Sequence, residues 1–373
     1  MTPRAHVVQV LPLLEWSGAE AIAASLAQQI RTRGFSSSIV GLEGDAAAFS
    51  RHLRDDGIDV TSLGVSRRLA AFAGRRLRAA LPRRPLLVHA HMFHATLAAR
   101  RAFAGMAGVR VLSTCHIVER RFRPWHAWLD RRTAASAQCE VCVSQAVAAF
   151  QARATGLPAS FFPVIENGID LAPFTRLGRT HSAGTFHVVS VGRLDAQKDL
   201  PTLLRAWQRI ERLLPGARLS LAGRGPREAR LRALARSLGL ARVEFLGFVD
   251  AIPALLQSAD CYVQSSRWEG FGLAVAEAMA AGLPVVVSDV DSLPELVGDG
   301  RTGCVVPAGN DGLFAERILE LARDPALRER LGTAARHEAS RRFTVERMVD
   351  DYVALYDKAL AGLASPGPDR PRH

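Results

Sequence analysis

The sequence predicts an α/β protein made of two doubly wound domains with parallel sheets. Short apolar runs of strand length alternate with helix-period segments from one end of the chain to the other. A length of 373 residues exceeds what one core of ordinary size fills, so the alternation divides into two domains. In the first half, strands are expected at residues 6–11, 37–42, 86–91, 109–114 and 139–143, each an apolar run rich in Val, Leu or Ile. In the second half they are expected at 185–191, 218–222, 243–246, 261–264 and 284–288, with helices between. Residues 172–184 lose the apolar period and turn to Pro, Thr, Arg, Gly, His and Ser, which marks a linker. The domains therefore run over 1–172 and 185–342. A closing amphipathic helix over 343–363 is expected to return to the first domain, and the Pro-rich 364–373 to be disordered. Ligands of such sheets bind beyond the carboxyl ends of the strands, so the loops there are where chemistry is sought.

Composition bounds the function. The chain is 48% hydrophobic and 23% charged with mean hydropathy +0.06, as in soluble globular proteins. The apolar stretch from Val7 to Leu14 is interrupted by Gln9 and Pro12 and ends at Glu15, unlike an export signal. No run of about 18 apolar residues exists to cross a bilayer. A cytoplasmic protein, peripheral on the inner face of the membrane, is the expectation. Five cysteines make no disulfide framework, and the C-x-x-C of Cys139 and Cys142 alternates with Val141 and Val143 as a buried strand does, against a metal or redox role.

The formal net charge of +12 is concentrated toward the N-terminal half. Between Asp59 and Glu119 there are ten arginines and no acidic residue. Arg67, Arg68, Arg75, Arg76 and Arg78 fall on a segment where Leu69, Ala73, Leu77 and Leu81 recur every four residues, an amphipathic helix suited to an anionic membrane surface or to a solvated outer face. Trp125 and Trp128, beside Arg120, Arg121 and Arg123, extend that acceptor-side, membrane-facing expectation. Nucleic acid is the other partner a basic chain could serve. No nucleic-acid module is recognisable, and aromatics at 6% lack the interleaving of a stacking platform, so nucleic acid is not an expected partner.

The chemistry concentrates between Arg267 and Gly282. Gly270 and Gly272 free the backbone before the apolar run from Leu273 to Ala276, so amides at a helix start would face an anion. Glu269 and Glu277 flank that point. If both lay on one helix, eight positions would separate them by about 12 Å. Paired glycosidase carboxylates stand roughly 5 to 9.5 Å apart, so two contacts along one long ligand fit better than two-carboxylate hydrolysis. After the strand ending at Val191, the loop from Gly192 to Asp199 brings Arg193 and Lys198 to the start of a helix. Of 48 basic residues only Lys198 and Lys358 are lysine, and in so arginine-rich a chain Lys198 indicates a need for a compact ammonium. Two such cations could clamp a diphosphate. Asp289-Val290-Asp291 reads as D-x-D, a metal-binding pattern, but Asp291 and Ser292 precede Pro294 and Glu295 as helix caps do. No metal is expected, since Arg193 and Lys198 can stabilise a leaving diphosphate.

The strings from Val191 to Lys198, from Glu269 to Glu277, from Ala281 to Val286 and from Asn167 to Asp170 together resemble the retaining glycosyltransferases of family 4, which have the two-domain GT-B fold. The resemblance implies two Rossmann-like domains facing across a cleft and a nucleotide-sugar co-substrate. It implies that Arg193 and Lys198 neutralise the donor diphosphate and that Glu277 accepts hydrogen bonds from the ribose. Glu269, Gly270 and the backbone of Phe271, Gly272 and Leu273 would sit by the sugar and phosphate. In the first domain it implies a donor-side glycine loop at Gly18, where Ser17 replaces a second glycine. It also implies a histidine near the transferred sugar at His116, and His91 facing the cleft. Arg224 and the Asp291-Ser292 pair depart from the family's pattern, which leaves base and sugar open between UDP- and GDP-linked donors. The implied activity is retaining transfer to an acceptor hydroxyl, and the acid-free arginine stretch with Trp125 and Trp128 adds the expectation of a glycan or lipid-linked acceptor, in cell-surface polysaccharide or glycolipid synthesis. Two readings compete: a nucleotide-sugar epimerase or hydrolase, which acceptor-independent turnover would favour, and a basic nucleic-acid-binding protein.

Overall fold

The computed structural model describes residues 4–51, 53, 57–81, 86–118, 124–175 and 185–364. It contains two six-stranded parallel sheets. The first comprises β1 (His6–Leu14), β2 (Ser36–Gly44), β3 (Asp59–Ser62), β4 (Leu86–His91), β5 (Val109–Cys115) and β6 (Glu140–Cys142). The second comprises β7 (His187–Val191), β8 (Arg218–Ala222), β9 (Val243–Gly247), β10 (Cys261–Gln264), β11 (Val285–Ser288) and β12 (Gly303–Val306). Strand orders are β3-β2-β1-β4-β5-β6 and β12-β11-β10-β7-β8-β9. Renumbered within each unit, both read 3-2-1-4-5-6, the doubly wound dinucleotide-binding order. The order reverses between β1 and β4 in one unit and between β7 and β10 in the other.

All ten expected strands are present. The two that sequence reasoning missed, β3 and β12, are edge strands of four residues each. β3, Asp59-Val60-Thr61-Ser62, is partly exposed and has no apolar run, whereas β12, Gly303-Cys304-Val305-Val306, is largely buried but opens on a glycine and carries only three apolar residues in a row. Central strands show a longer buried run: Val7, Val8, Val10 and Leu11 of β1 are fully buried. Side chains alternate between the faces of the sheet. Val8, Val10, Val88 and Ala90 pack on one face with Ala95, Ala98 and Phe103, whereas Leu11 and Ile39 pack on the other with Ala23, Ala27 and Phe49. In the second unit Trp207, fully buried, is surrounded by Val188, Leu219, Val263, Val286 and Phe314.

The chain divides at Gly168/Ile169 and again at Thr344/Val345, so the C-terminal helix Val345–Ala364 clusters with the first unit and the second is inserted ahead of it. This differs from a boundary at 172 and a second domain over 185–342. Residues 169–171 and 343–344 belong to the second unit because the Ile169 amide donates to the Phe343 carbonyl at 2.8 Å. Of the expected linker, Ala172–Thr175 is helical and 176–184 lies outside the described residues, as does 365–373.

The arginine-rich segment is also differently built. A 3₁₀ turn, Arg67–Phe72, precedes a short α-helix, Gly74–Ala79, and the buried stripe is Ala70, Ala73 and Leu77. Three residues per turn in the first part move Leu69 off the stripe and leave it and Phe72 exposed. The side chains of Arg67 and Arg68, and residues Arg120, Arg121 and Arg123, lie outside the described set. Among the described residues no helix is long and apolar enough to cross a membrane.

Candidate functional site

In the second unit the loops that follow β7 and β10 meet at the point where strand order reverses, the position where ligands of such sheets bind. The loop after β7 is pinned by Leu194, which is buried and whose amide donates to the Arg224 carbonyl at 3.0 Å. Its other end is tied to the loop after β10. The Arg267 amide donates to the Gln197 carbonyl at 2.7 Å, Ser265 Oγ to the Lys198 carbonyl at 3.0 Å, and Gln197 Nε2 to the Trp268 carbonyl at 3.0 Å. Gly192 holds φ at +154°, and a Cβ there would stand 2.9 Å from Lys198 Cε, so the lysine stem crosses a space that only glycine leaves.

These ties bring Lys198 and Glu269 together. Lys198 Nζ lies 2.6 Å from Glu269 Oε1, which also accepts from Ser266 Oγ at 2.7 Å and Gln264 Nε2 at 2.8 Å. Glu269 Oε2 receives one longer bond, from Gln197 Nε2 at 3.3 Å. The glutamate is 5% exposed, so its charge is held by a cation and three neutral donors rather than by water. Oε1 is saturated and Oε2 keeps acceptor capacity. Lys198 has two further N–H groups for an anion.

Glu269 is not on a helix. The helix begins at Leu273 with Gly272 as its N-cap in the left-handed region, φ +103°, and Glu269 belongs to the preceding loop. The 12 Å helical separation of Glu269 and Glu277 therefore does not apply, because the glycines end the loop instead of continuing a helix. Gly272, Leu273 and Ala274 offer amides with no acceptor among the described residues. Phe271 is buried with its ring edge-on to Phe343, so its backbone rather than its ring is what a ligand could meet. Gly270 is buried in the same turn, and Leu273 is half-buried. Asp291 and Ser292 tie this loop down instead of capping the helix Leu293–Leu296. Asp291 Oδ2 accepts from the Glu269 amide at 3.1 Å, and Ser292 Oγ donates to the Phe271 carbonyl at 2.9 Å.

Glu277 is one turn into the helix and half-buried, with no hydrogen-bond donor on its carboxylate among the described residues. Burial pushes its carboxyl up to about 7. Arg193 stands apart. Its side chain is 72% exposed, with Asp195 3.7 Å away.

In the first unit, register places a polar cluster on one face of the sheet. Gln9 pairs with His89 across β1 and β4, and His91 with Thr114 across β4 and β5. His91 Nε2 is 2.7 Å from Gln9 Oε1, and His91 Nδ1 is 2.9 Å from His116 Nε2. His89 contacts Tyr356 OH and Thr114 Oγ1, both at 2.7 Å, and Tyr352 OH is 3.1 Å from Thr114 Oγ1. Both tyrosines come from the C-terminal helix. His91 is wholly buried beneath the half-buried His116, so it reaches a ligand only through that ring. Burial lowers all three imidazoles: His116 to about 4, His89 to about 3 with help from the neighbouring His116, and His91 well below its usual value. They are neutral at neutral pH.

Gly18 is the exposed first residue of the helix Gly18–Gln29, and Ser17 donates to Glu20. Trp125 and Trp128, on the helix Pro124–Thr133, are 51% and 55% exposed, with Trp125 stacked on His126 and Trp128 under the Arg132 guanidinium. All five cysteines are buried, and burial pushes the Cys139 thiol up to about 11, away from reactive thiolate. Sequence reasoning missed Gln264, Ser266 and Gln197 around Glu269, and Gln9, His89, Thr114, Tyr352 and Tyr356 around the histidines. One signal was available: His89 and His91 alternate inside an otherwise apolar strand, which puts both on one buried face.

Comparison with known proteins bears on the whole chain. The family model described as glycosyl transferases group 1 matches residues 179–338, and that of glycosyltransferase family 4 matches 16–173. A glycogen synthase of Mycobacterium tuberculosis is 30% identical over 307 residues, covering 77% of this chain and 72% of that one. A phosphatidyl-myo-inositol mannosyltransferase of Mycobacterium leprae is 33% identical over 257 residues, covering 65% of this chain and 63% of the other. Among solved structures, Anabaena HepE in complex with UDP-glucose superposes with a TM-score of 0.81 at 23% identity, over 94% of this chain and 99% of HepE. Sucrose-phosphate synthase from Thermosynechococcus elongatus does so with a TM-score of 0.81 at 21% identity, over 96% and 100%. The fold is GT-B.

Proposed function

This chain belongs to the group 1, family 4 glycosyltransferases, and from that premise we propose that it moves a hexose or related sugar from a UDP- or GDP-sugar onto an acceptor hydroxyl with retention of configuration. The observation that carries the reading is the Lys198–Glu269 pair, fixed by three further donors beside the free amides of a helix start. In the proposed reaction the acceptor oxygen bonds to the anomeric carbon on the face from which the diphosphate oxygen departs, and the acceptor proton passes to that diphosphate. Lys198, the amides from Gly272 to Ala274 and the exposed Arg193 hold the charge that develops there, so no divalent metal is needed. Glu269 meets the sugar through Oε2, and Glu277 accepts from the ribose hydroxyls. HepE was solved with UDP-glucose, which supports a nucleotide sugar as donor.

A panel of UDP- and GDP-sugars screened by thermal shift tests this reading. A donor that binds only the native state must raise Tm, and the one that does so is expected to be the one transferred. No shift across the panel would sink the proposal. The same titration carries a pH prediction. The Glu277 carboxyl, at about 7, is uncharged below that value, and ribose hydroxyls bind the ionised form more strongly. Raising pH from 6 to 8 increases the ionised fraction roughly tenfold, so donor affinity is expected to rise about tenfold. In Glu277→Gln that slope disappears; a slope that survives removes Glu277 from the ribose site.

The acceptor we propose is a glycan or a lipid-linked glycan reached at an anionic membrane surface. Exposed Trp125, Trp128, Phe72 and Leu69 beside an acid-free, arginine-rich stretch support it. The names of the glycogen synthase and phosphatidyl-myo-inositol mannosyltransferase relatives are compatible with a glycan and a lipid acceptor respectively. Sedimentation with phosphatidylglycerol vesicles at low salt, lost at high salt, is the expected result, and no sedimentation at low salt rejects the membrane.

A further inference from the structure

We propose that Gln9 and His91 form a buried relay that fixes the tautomer of His116, leaving its Nδ1 as a bare acceptor for a ligand hydroxyl. The argument is one of donors and acceptors. Gln9 Oε1 can only accept, so His91 Nε2, 2.7 Å away, carries the proton. A neutral imidazole has one proton, and His91 Nδ1 is therefore an acceptor. His116 Nε2, 2.9 Å from it, must then be the donor, and the neutral His116 has none left for Nδ1. Among the described residues Nδ1 meets no partner. His116 is the half-buried ring of the three, so this acceptor is on the accessible side of the cluster.

What decides the relay's polarity is the orientation of the Gln9 amide. Turned over, it would donate to His91 Nε2, and every proton in the row would shift to the opposite nitrogen. Gln9 Nε2 instead faces Tyr356 OH at 3.5 Å, and that hydroxyl lies 2.7 Å from His89 Nδ1. With this orientation Tyr356 OH accepts from Gln9 Nε2 and donates to His89 Nδ1, so a second row of matching polarity runs through His89 and Thr114 to Tyr352. All of these groups are buried, so no water competes to reverse them. Gln9 and His91 are positioning residues, and the purpose of the relay rests on the reading that His116 stands near the transferred sugar.

Nitrogen-15 NMR of the imidazole rings in the full-length protein tests this without substrate. The His116 signals, assigned by their loss in His116→Ala, are expected to show a protonated Nε2 and a bare Nδ1 at neutral pH. In Gln9→Met, which keeps the volume and removes the amide, both tautomers are expected to appear and transfer to fall about tenfold, the usual cost of losing one hydrogen bond to a ligand hydroxyl. A protonated Nδ1 in the wild type overturns the proposal, and so does a single unchanged tautomer in folded Gln9→Met. Transfer at the wild-type rate in His116→Ala would instead remove the role of His116 in the reaction, while the ring signature still decides the relay.

Discussion

With Lys198 replaced by methionine, transfer from the nucleotide sugar is expected to fall by about 10² to 10³-fold, the usual cost of losing one pre-positioned stabiliser of developing charge. Methionine keeps an unbranched stem to cross Gly192 but has no ammonium for either Glu269 or a diphosphate. The loss is expected mainly in kcat, since charge grows on the diphosphate as the bond to sugar breaks. Lys198→Arg should recover little. A planar guanidinium does not fit a space where Nζ already lies 2.6 Å from Glu269 Oε1. Steady-state kinetics with the donor found by thermal shift decide the matter, and an unchanged kcat in Lys198→Met removes the lysine from the reaction.

The second large effect falls on stability. Replacing Glu269 with leucine leaves Lys198, Gln264 and Ser266 turned toward a side chain that accepts nothing, in a site with little water. Breaking a buried pair in this one-sided way costs about 3–5 kcal/mol. For a unit of this size that corresponds to a fall in Tm of roughly 6–20 °C. Glu269→Gln retains a carbonyl acceptor and is expected to lose less than half as much while still impairing transfer. Thermal unfolding of both variants separates the two roles, because equal Tm values would mean that the carboxylate is not the hub of the network.

The sequence made the strands legible wherever burial on both faces forced a continuous apolar run, and failed at β3, which is partly exposed, and at β12, whose buried apolar run is only three residues after a glycine. The second-unit site was legible as residue types in two short stretches: a rare lysine in one, and glycines with two glutamates in the other. Its geometry was not. Whether residues 269–277 form one helix depends on Gly272 adopting a left-handed turn, which a glycine permits but does not require. The donors around Glu269 come from two segments: Gln264 and Ser266 lie at the end of β10 and just beyond it, while Gln197 and Lys198 reach the carboxylate only through folding, so Gln197 had no local signal. Asp291 and Ser292 show the same limit, for a cap-like pattern was recruited by a neighbouring loop. In the first unit, strand parity reveals that His89 and His91 share a face. Only the fold brings Gln9 and two tyrosines from a distant helix to meet them.

That distant helix has a consequence for the order in which the protein can be finished. Tyr352 and Tyr356 satisfy His89 and Thr114, yet they are synthesised after the whole of the inserted second unit. A ribosome adding about 5–20 residues each second needs roughly 10–40 s to travel from Gly168 to Tyr356. Throughout that interval the residues of the first sheet keep a face of histidine, threonine and glutamine open to water, while the second unit has every residue it needs to fold as soon as Thr344 is added. The half of the molecule made first is therefore the half completed last.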